Sequence, residues 1–122
     1  MKVKIDTKEK FHVITPEEPV ISANMTEELK QMLLPYVEKE NKNVVLNLRE
    51  VNEIDKRVAE TILELQQTFY YKHASFVNCE LQKPVEEFLE QLELLEVLNV
   101  APTESEAWDI VQMEEIEREL LE

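Results

Sequence analysis

The stretch Val44-Val45-Leu46-Asn47-Leu48-Arg49-Glu50-Val51-Asn52-Glu53-Ile54-Asp55-Lys56-Arg57-Val58 decides how this chain folds. Its first five residues form a nearly unbroken apolar run of strand length, the pattern of a central strand covered on both faces. Val51 and Ile54 then lead to Asp55, a good N-cap. From there Val58, Ala59, Ile62, Leu63, Leu65 and Phe69 recur at helical spacing and make the buried side of a helix. A buried strand feeding an amphipathic helix is half of a βαβ unit, and it predicts a parallel sheet with helices packed on it.

The flanks extend that pattern. Upstream, Val3 and Ile5 alternate with polar residues. Phe11, Val13 and Ile14 follow after a charged connection, so an N-terminal hairpin is expected, ended by Thr15-Pro16-Glu17-Glu18-Pro19. Asn24 and Glu27 stand at capping-box spacing, and Met25, Leu29, Met32, Leu33, Tyr36 and Val37 share one face of the helix that would follow. Pro35 falls inside this run, where it costs roughly 3 kcal/mol, so the helix must kink or end a turn early. Downstream, Ser75 to Cys79 is strand-like and Pro84 suits the first turn of a helix carrying Val85, Phe88, Leu89 and Leu92. Val97 to Val100 reads as an edge strand, and Thr103 with Glu106 forms a second capping box before Ala107, Ile110 and Val111. The expected fold is α/β: a mixed, mostly parallel β-sheet with an N-terminal hairpin and about four α-helices, residues 1–122 making a single domain.

Composition removes several function classes. Thirteen Lys and Arg against twenty-seven Asp and Glu give 13 − 27 = −14. That field repels phosphate backbones and anionic headgroups, so neither nucleic acid nor direct membrane binding is expected. No apolar run approaches the roughly 18 residues of a membrane span. The N-terminus lacks the pattern of a secretory signal, and the lone Cys79 allows no intramolecular disulfide, so a cytoplasmic location is expected. The chain contains no glycine, which excludes phosphate-cradling loops of the P-loop and dinucleotide types. Sharp turns should fall to Asn, Asp and Pro, with Asn41, Asn43 and Asn52 placed to supply them.

Catalytic and metal patterns are weak. His73 and Cys79 could in principle pair as base and nucleophile, but a lone Cys in an apolar strand reads better as a small core residue, and His12 lies in a strand without polar partners in the pattern. There is no CxxC or HxxxH, so no metal and no cofactor is expected. Glu86, Glu87, Glu90 and Glu93 read as a solvated helix face. The C-terminal residues 113–122 continue helical periodicity as an extension whose stripe is Met113, Ile116 and Leu120. Covering the domain's own core is the favoured reading of that stripe, and docking on a partner or a second copy is the other.

Taken in order, Val44 through Val58, Ile21-Ser22-Ala23-Asn24 before Glu28-Leu29, Phe76-Val77-Asn78, and Leu94 through Ala107 resemble the STAS domains, the anti-sigma factor antagonist family. In that family the Asp opening the second helix is followed by a Ser that a partner kinase phosphorylates. Here those positions read Lys56-Arg57-Val58, with Lys56 at the phosphoacceptor position. Ser22 stands where the family's turn carries an acid, and Pro19 where a glycine commonly precedes it. The resemblance therefore implies a degenerate member without the serine switch.

On that resemblance the expected function is a non-enzymatic cytoplasmic interaction module, unphosphorylated, that binds a protein partner of the anti-sigma factor or kinase-like regulator kind. Its contact residues would be Ser22, Asn24, Asp55, Lys56, Arg57 and Val58; homodimerisation is left open. Two cations in a first helical turn oppose the helix dipole, at about 0.3 to 1 kcal/mol each. They either recognise an anionic group or simply relieve the chain's negative charge. The alternative function is a small-molecule-binding or enzymatic α/β domain with its site at the carboxyl ends of the parallel strands.

Overall fold

The computed structural model describes residues 1–121. In chain order it contains β1 (Val3–Thr7), β2 (His12–Pro16), β3 (Val20–Ile21), α1 (Thr26–Leu33), β4 (Val44–Asn47), β5 (Glu53–Ile54), α2 (Lys56–Tyr71), β6 (Phe76–Cys79), α3 (Lys83–Gln91), β7 (Val100–Ala101) and α4 (Glu104–Leu121). As the apolar run predicts, β4 lies at the centre of a five-stranded sheet of order β1-β2-β4-β6-β7. β1 and β2 form the antiparallel hairpin, and β2, β4, β6 and β7 run parallel to their neighbours. The alternation of side chains along β4 divides the core in two. Val44 and Leu46 join Leu29, Ile62, Phe69 and Val85 under α1, α2 and α3, while Val45 joins Phe11, Val13, Val77 and Val111 under α4. The fold is thus the expected α/β arrangement with four helices.

Some local expectations are corrected and others hold. Asn24 and Glu27 do not form a capping box. A 3-10 turn over Ala23–Met25 precedes α1, the Ser22 carbonyl accepts the Met25 N–H at 2.9 Å, and the Asn24 side chain accepts the Ser22 hydroxyl. Pro35 ends α1 early: the α-helix stops at Leu33, and a 3-10 stretch over Leu34–Glu38 takes Pro35 in its first turn, where its missing N–H costs nothing. The edge strand is Val100–Ala101 rather than Val97 to Val100. The buried Gln66 side chain donates to the Val97 carbonyl at 3.1 Å and accepts the Asn99 N–H at 2.7 Å, so this backbone is satisfied before it reaches the sheet. The second cap forms as expected, with Thr103 Oγ1 accepting the Glu106 N–H at 3.1 Å.

In the absence of glycine, the left-handed backbone positions among the described residues fall to His73, Glu80 and Glu93, not to asparagines. His73 and Glu93 each follow a helix end. The Ala74 N–H reaches back to the Phe69 carbonyl at 2.8 Å and the Leu94 N–H to that of Leu89 at 2.9 Å. These are Schellman closures, which ordinarily carry glycine at the left-handed residue.

α4 runs unbroken to Leu121, so residues 113–121 belong to the same helix; Glu122 lies outside the described residues. The favoured reading of its stripe is overturned. Met113, Ile116 and Leu120 are 59%, 57% and 79% exposed, and it is the polar side that meets the domain. Glu114 accepts the Tyr70 hydroxyl at 2.6 Å, Glu115 accepts the Asn43 amide at 2.5 Å, and Arg118 donates to Ser75 Oγ at 3.1 Å.

Candidate partner-binding site

Two loops meet at the start of α2 because two very short strands pair. Val20 and Ile21 lie parallel to Glu53 and Ile54, and the Asn52 N–H adds a bond to the Pro19 carbonyl at 2.8 Å. Ile21 and Ile54 are buried and anchor this second sheet in the core, which fixes the residues that follow each of them. Ser22, Ala23 and Asn24 therefore arrive beside Asp55, Lys56 and Arg57.

Asp55 occupies the N-cap position with extended backbone (φ −83°, ψ 161°), and its carbonyl accepts the Ala59 N–H at 3.1 Å. Its carboxylate, however, makes no cap bond to α2. Oδ2 instead accepts the Ala23 N–H at 2.6 Å, across 32 residues of sequence. The residue expected to cap the helix is the clasp between the two loops, and a charged acceptor makes that bond stronger than a neutral one.

Lys56 and Arg57 are exposed side by side on the first turn of α2, which holds no acidic residue. Among the described residues neither has a carboxylate within 4.0 Å, in a chain whose acids outnumber its bases by fourteen. Lys56 borders a groove of about 390 Å³ between α2 and the end of α3, lined also by Glu60, Leu63, Leu92, Glu93 and Leu94. Leu63 and Leu92, expected on the buried side of their helices, are half-buried: they pack against the core and also floor this groove. Only the spatial approach of the two helices reveals it.

Val58 is a correction. It is fully buried against the core, so it supports the surface from beneath and offers no side chain to a partner. The nearest hydroxyl downstream of Asp55 is that of Thr61, which is buried and donates to the Arg57 carbonyl at 2.8 Å.

The other candidate chemistry disperses. His73 precedes β6 and Cys79 ends it, so the two stand at opposite ends of one strand and form no pair. The Cys79 thiol is pushed up to about 12, first by burial and then by the nearby Glu80 and Glu104 carboxylates. It is a core residue and not a thiolate nucleophile. His12 is likewise structural, its Nε2 bonded with the Asn41 carbonyl at 2.8 Å and its Nδ1 with Thr7 Oγ1 at 3.0 Å. No group of three or more metal-ligating side chains occurs among the described residues. At the carboxyl ends of the strands, where the alternative function would place a ligand, the buried Asn47 amide donates to Glu80 and Glu104, each at 3.2 Å, and ties α4 to the sheet. A cavity of about 560 Å³ opens at the opposite end, beside Lys10, Asn43 and His73, with cations and carboxylates mixed along its wall.

The order of strands and helices agrees with one family. The family model described as STAS domain matches residues 2–107. The chain belongs to the STAS family. Solved structures agree at the level of the fold. A putative anti-sigma factor antagonist from Thermotoga maritima superposes with a TM-score of 0.80 at 17% identity, over 90% of this chain and 94% of that one. A STAS domain protein from Planctomyces limnophilus gives a TM-score of 0.77 at 16% identity, over 90% of this chain and 97% of that one. The murine Slc26a9 anion transporter matches with a TM-score of 0.70 at 13% identity. That likeness takes in 85% of this chain but 18% of the transporter, so the same fold is there a minor part of a longer chain. A search of curated proteins finds no match. No helix among the described residues is long and apolar enough to cross a membrane.

Proposed function

We propose that this STAS domain is a non-enzymatic, cytoplasmic regulatory module that binds an anti-sigma factor or kinase-like protein through the start of α2, without serine phosphorylation. The observation that carries this reading is the pair Lys56 and Arg57. Both are exposed and, among the described residues, without a carboxylate within 4.0 Å, on a helix turn whose dipole disfavours them and at a loop junction that Asp55 clasps through the Ala23 N–H. Cations kept where they cost helix stability, with acids abundant elsewhere, are accounted for by an acidic partner surface. Ser22 and Asn24 line the adjoining loop, and the α2–α3 groove gives the partner an apolar floor beside Lys56. With Lys56 at the family's phosphoacceptor position and Thr61 bonded inward, the first turns of α2 offer no hydroxyl to switch.

The test is affinity capture from native lysate with the wild-type chain and the Lys56→Glu/Arg57→Glu variant, read by quantitative mass spectrometry at low and moderate salt. One protein should be enriched by the wild type and reduced at least ten-fold by the variant, while the circular dichroism of the two chains coincides. Equal capture by both would remove the binding surface from the start of α2.

A further inference from the structure

α4 is an ordinary amphipathic helix in its first half and an inverted one in its second. Up to residue 111 the apolar side chains face the sheet: Ala107 and Val111 are buried and the Trp108 ring stacks on Phe11 with centroids 4.8 Å apart. From residue 113 onward the inner face is polar. Glu114, Glu115 and Arg118 bond to the domain, and Met113, Ile116 and Leu120 point away from it. At 100° per residue these three form one continuous stripe directly opposite the docked face. Polar bonds hold the helix to the domain, so the apolar side is free for something else. The acids Glu117 and Glu119 flank the stripe, Glu106 and Asp109 continue its line toward the helix N-terminus, and all four are exposed.

The charges select the occupant. Arg118 is the one cation in α4, and it is turned inward. A second copy would therefore set acids against acids along both edges of a shared seam, in either helix direction. An anionic membrane surface would be repelled in the same way. A segment with an apolar stripe edged by Lys or Arg would bury Met113, Ile116 and Leu120 while pairing with the flanking carboxylates. We infer that the outer face of α4 is a docking surface for a cationic amphipathic helix of a protein partner. It is a second contact, separate from the start of α2.

The probes are two labelled synthetic 18-residue peptides of identical Leu/Lys composition, one with leucines at helical spacing and one with their order scrambled. Fluorescence anisotropy with the full chain should give at least ten-fold tighter binding of the striped peptide. In the Met113→Gln/Ile116→Gln/Leu120→Gln variant, whose net charge is unchanged, that preference should vanish while circular dichroism stays the same. Equal affinity for the two peptides, no binding of either, or a preference that survives in the variant would overturn the inference. A wild-type dimer in sedimentation equilibrium that becomes a monomer in the variant would assign the stripe to a second copy and overturn it as well.

Discussion

Asp55 carries more of the site than its place at the head of α2 implies. Its residue type and its position after Ile54 were legible, because a short acidic residue before an amphipathic run is an N-cap signal. The acceptor's actual donor, the Ala23 N–H, lies 32 residues away and leaves no trace in local pattern. Asp55→Ala should therefore lower stability by about 1 kcal/mol, the scale of a partly exposed hydrogen bond to a charged group, as read by urea unfolding. The loss should appear at Ala23, whose amide exchange should quicken, and not along the first turn of α2; the reverse pattern would restore the ordinary cap. Val58 teaches the same lesson in the other direction. Its helical spacing with Ile62, Leu65 and Phe69 marked it as core, and the burial follows that spacing rather than its neighbourhood to Lys56 and Arg57.

Among the elements, the long periodic ones were legible and the shortest were not. β4, α2 and the hairpin carry enough apolar repeats to declare themselves. β3 and β5 are two residues each, too short for any period, yet their pairing brings the two loops of the candidate site together. Helix ends misled for a related reason: turn chemistry was assigned to the asparagines by propensity, while the Schellman hydrogen bonds force His73 and Glu93 into left-handed backbone whatever their side chains prefer. A non-glycine residue there costs roughly 1 to 2 kcal/mol. His73→Gly should accordingly raise stability by about 1 kcal/mol after the greater entropy of glycine in the unfolded chain is subtracted, seen as a higher urea midpoint. A lowered midpoint would mean that the imidazole makes a stabilising contact.

At the scale of the whole molecule, two packed faces and a strongly acidic surface set the response to solvent. Cys79 sits where β6 meets α4, fully buried, with its thiol raised from 9.0 to about 12. It should resist a thiol reagent in the folded chain at about pH 8 and react once urea unfolds it; rapid native labelling would contradict the packing of α4 on the sheet. The sign of the pH effect follows. The unfolded chain releases this proton first, so the thiol's contribution to stability is complete below about pH 9 and fades as pH rises through about 12. Tyr70, raised by burial and by Glu114, acts in the same direction. Urea midpoints should therefore fall on the alkaline side, less steeply in Cys79→Ala. The central proposal is that this acidic domain meets its partner at the exposed Lys56–Arg57 turn beside the Asp55 clasp. It is tested most directly by placing a photo-crosslinking amino acid at Lys56 and, separately, at Glu9 on the far end of the sheet, and irradiating intact cells that express each chain. Position 56 should capture a single prominent protein that position 9 does not; no adduct at 56, or the same adduct at both, would contradict the account.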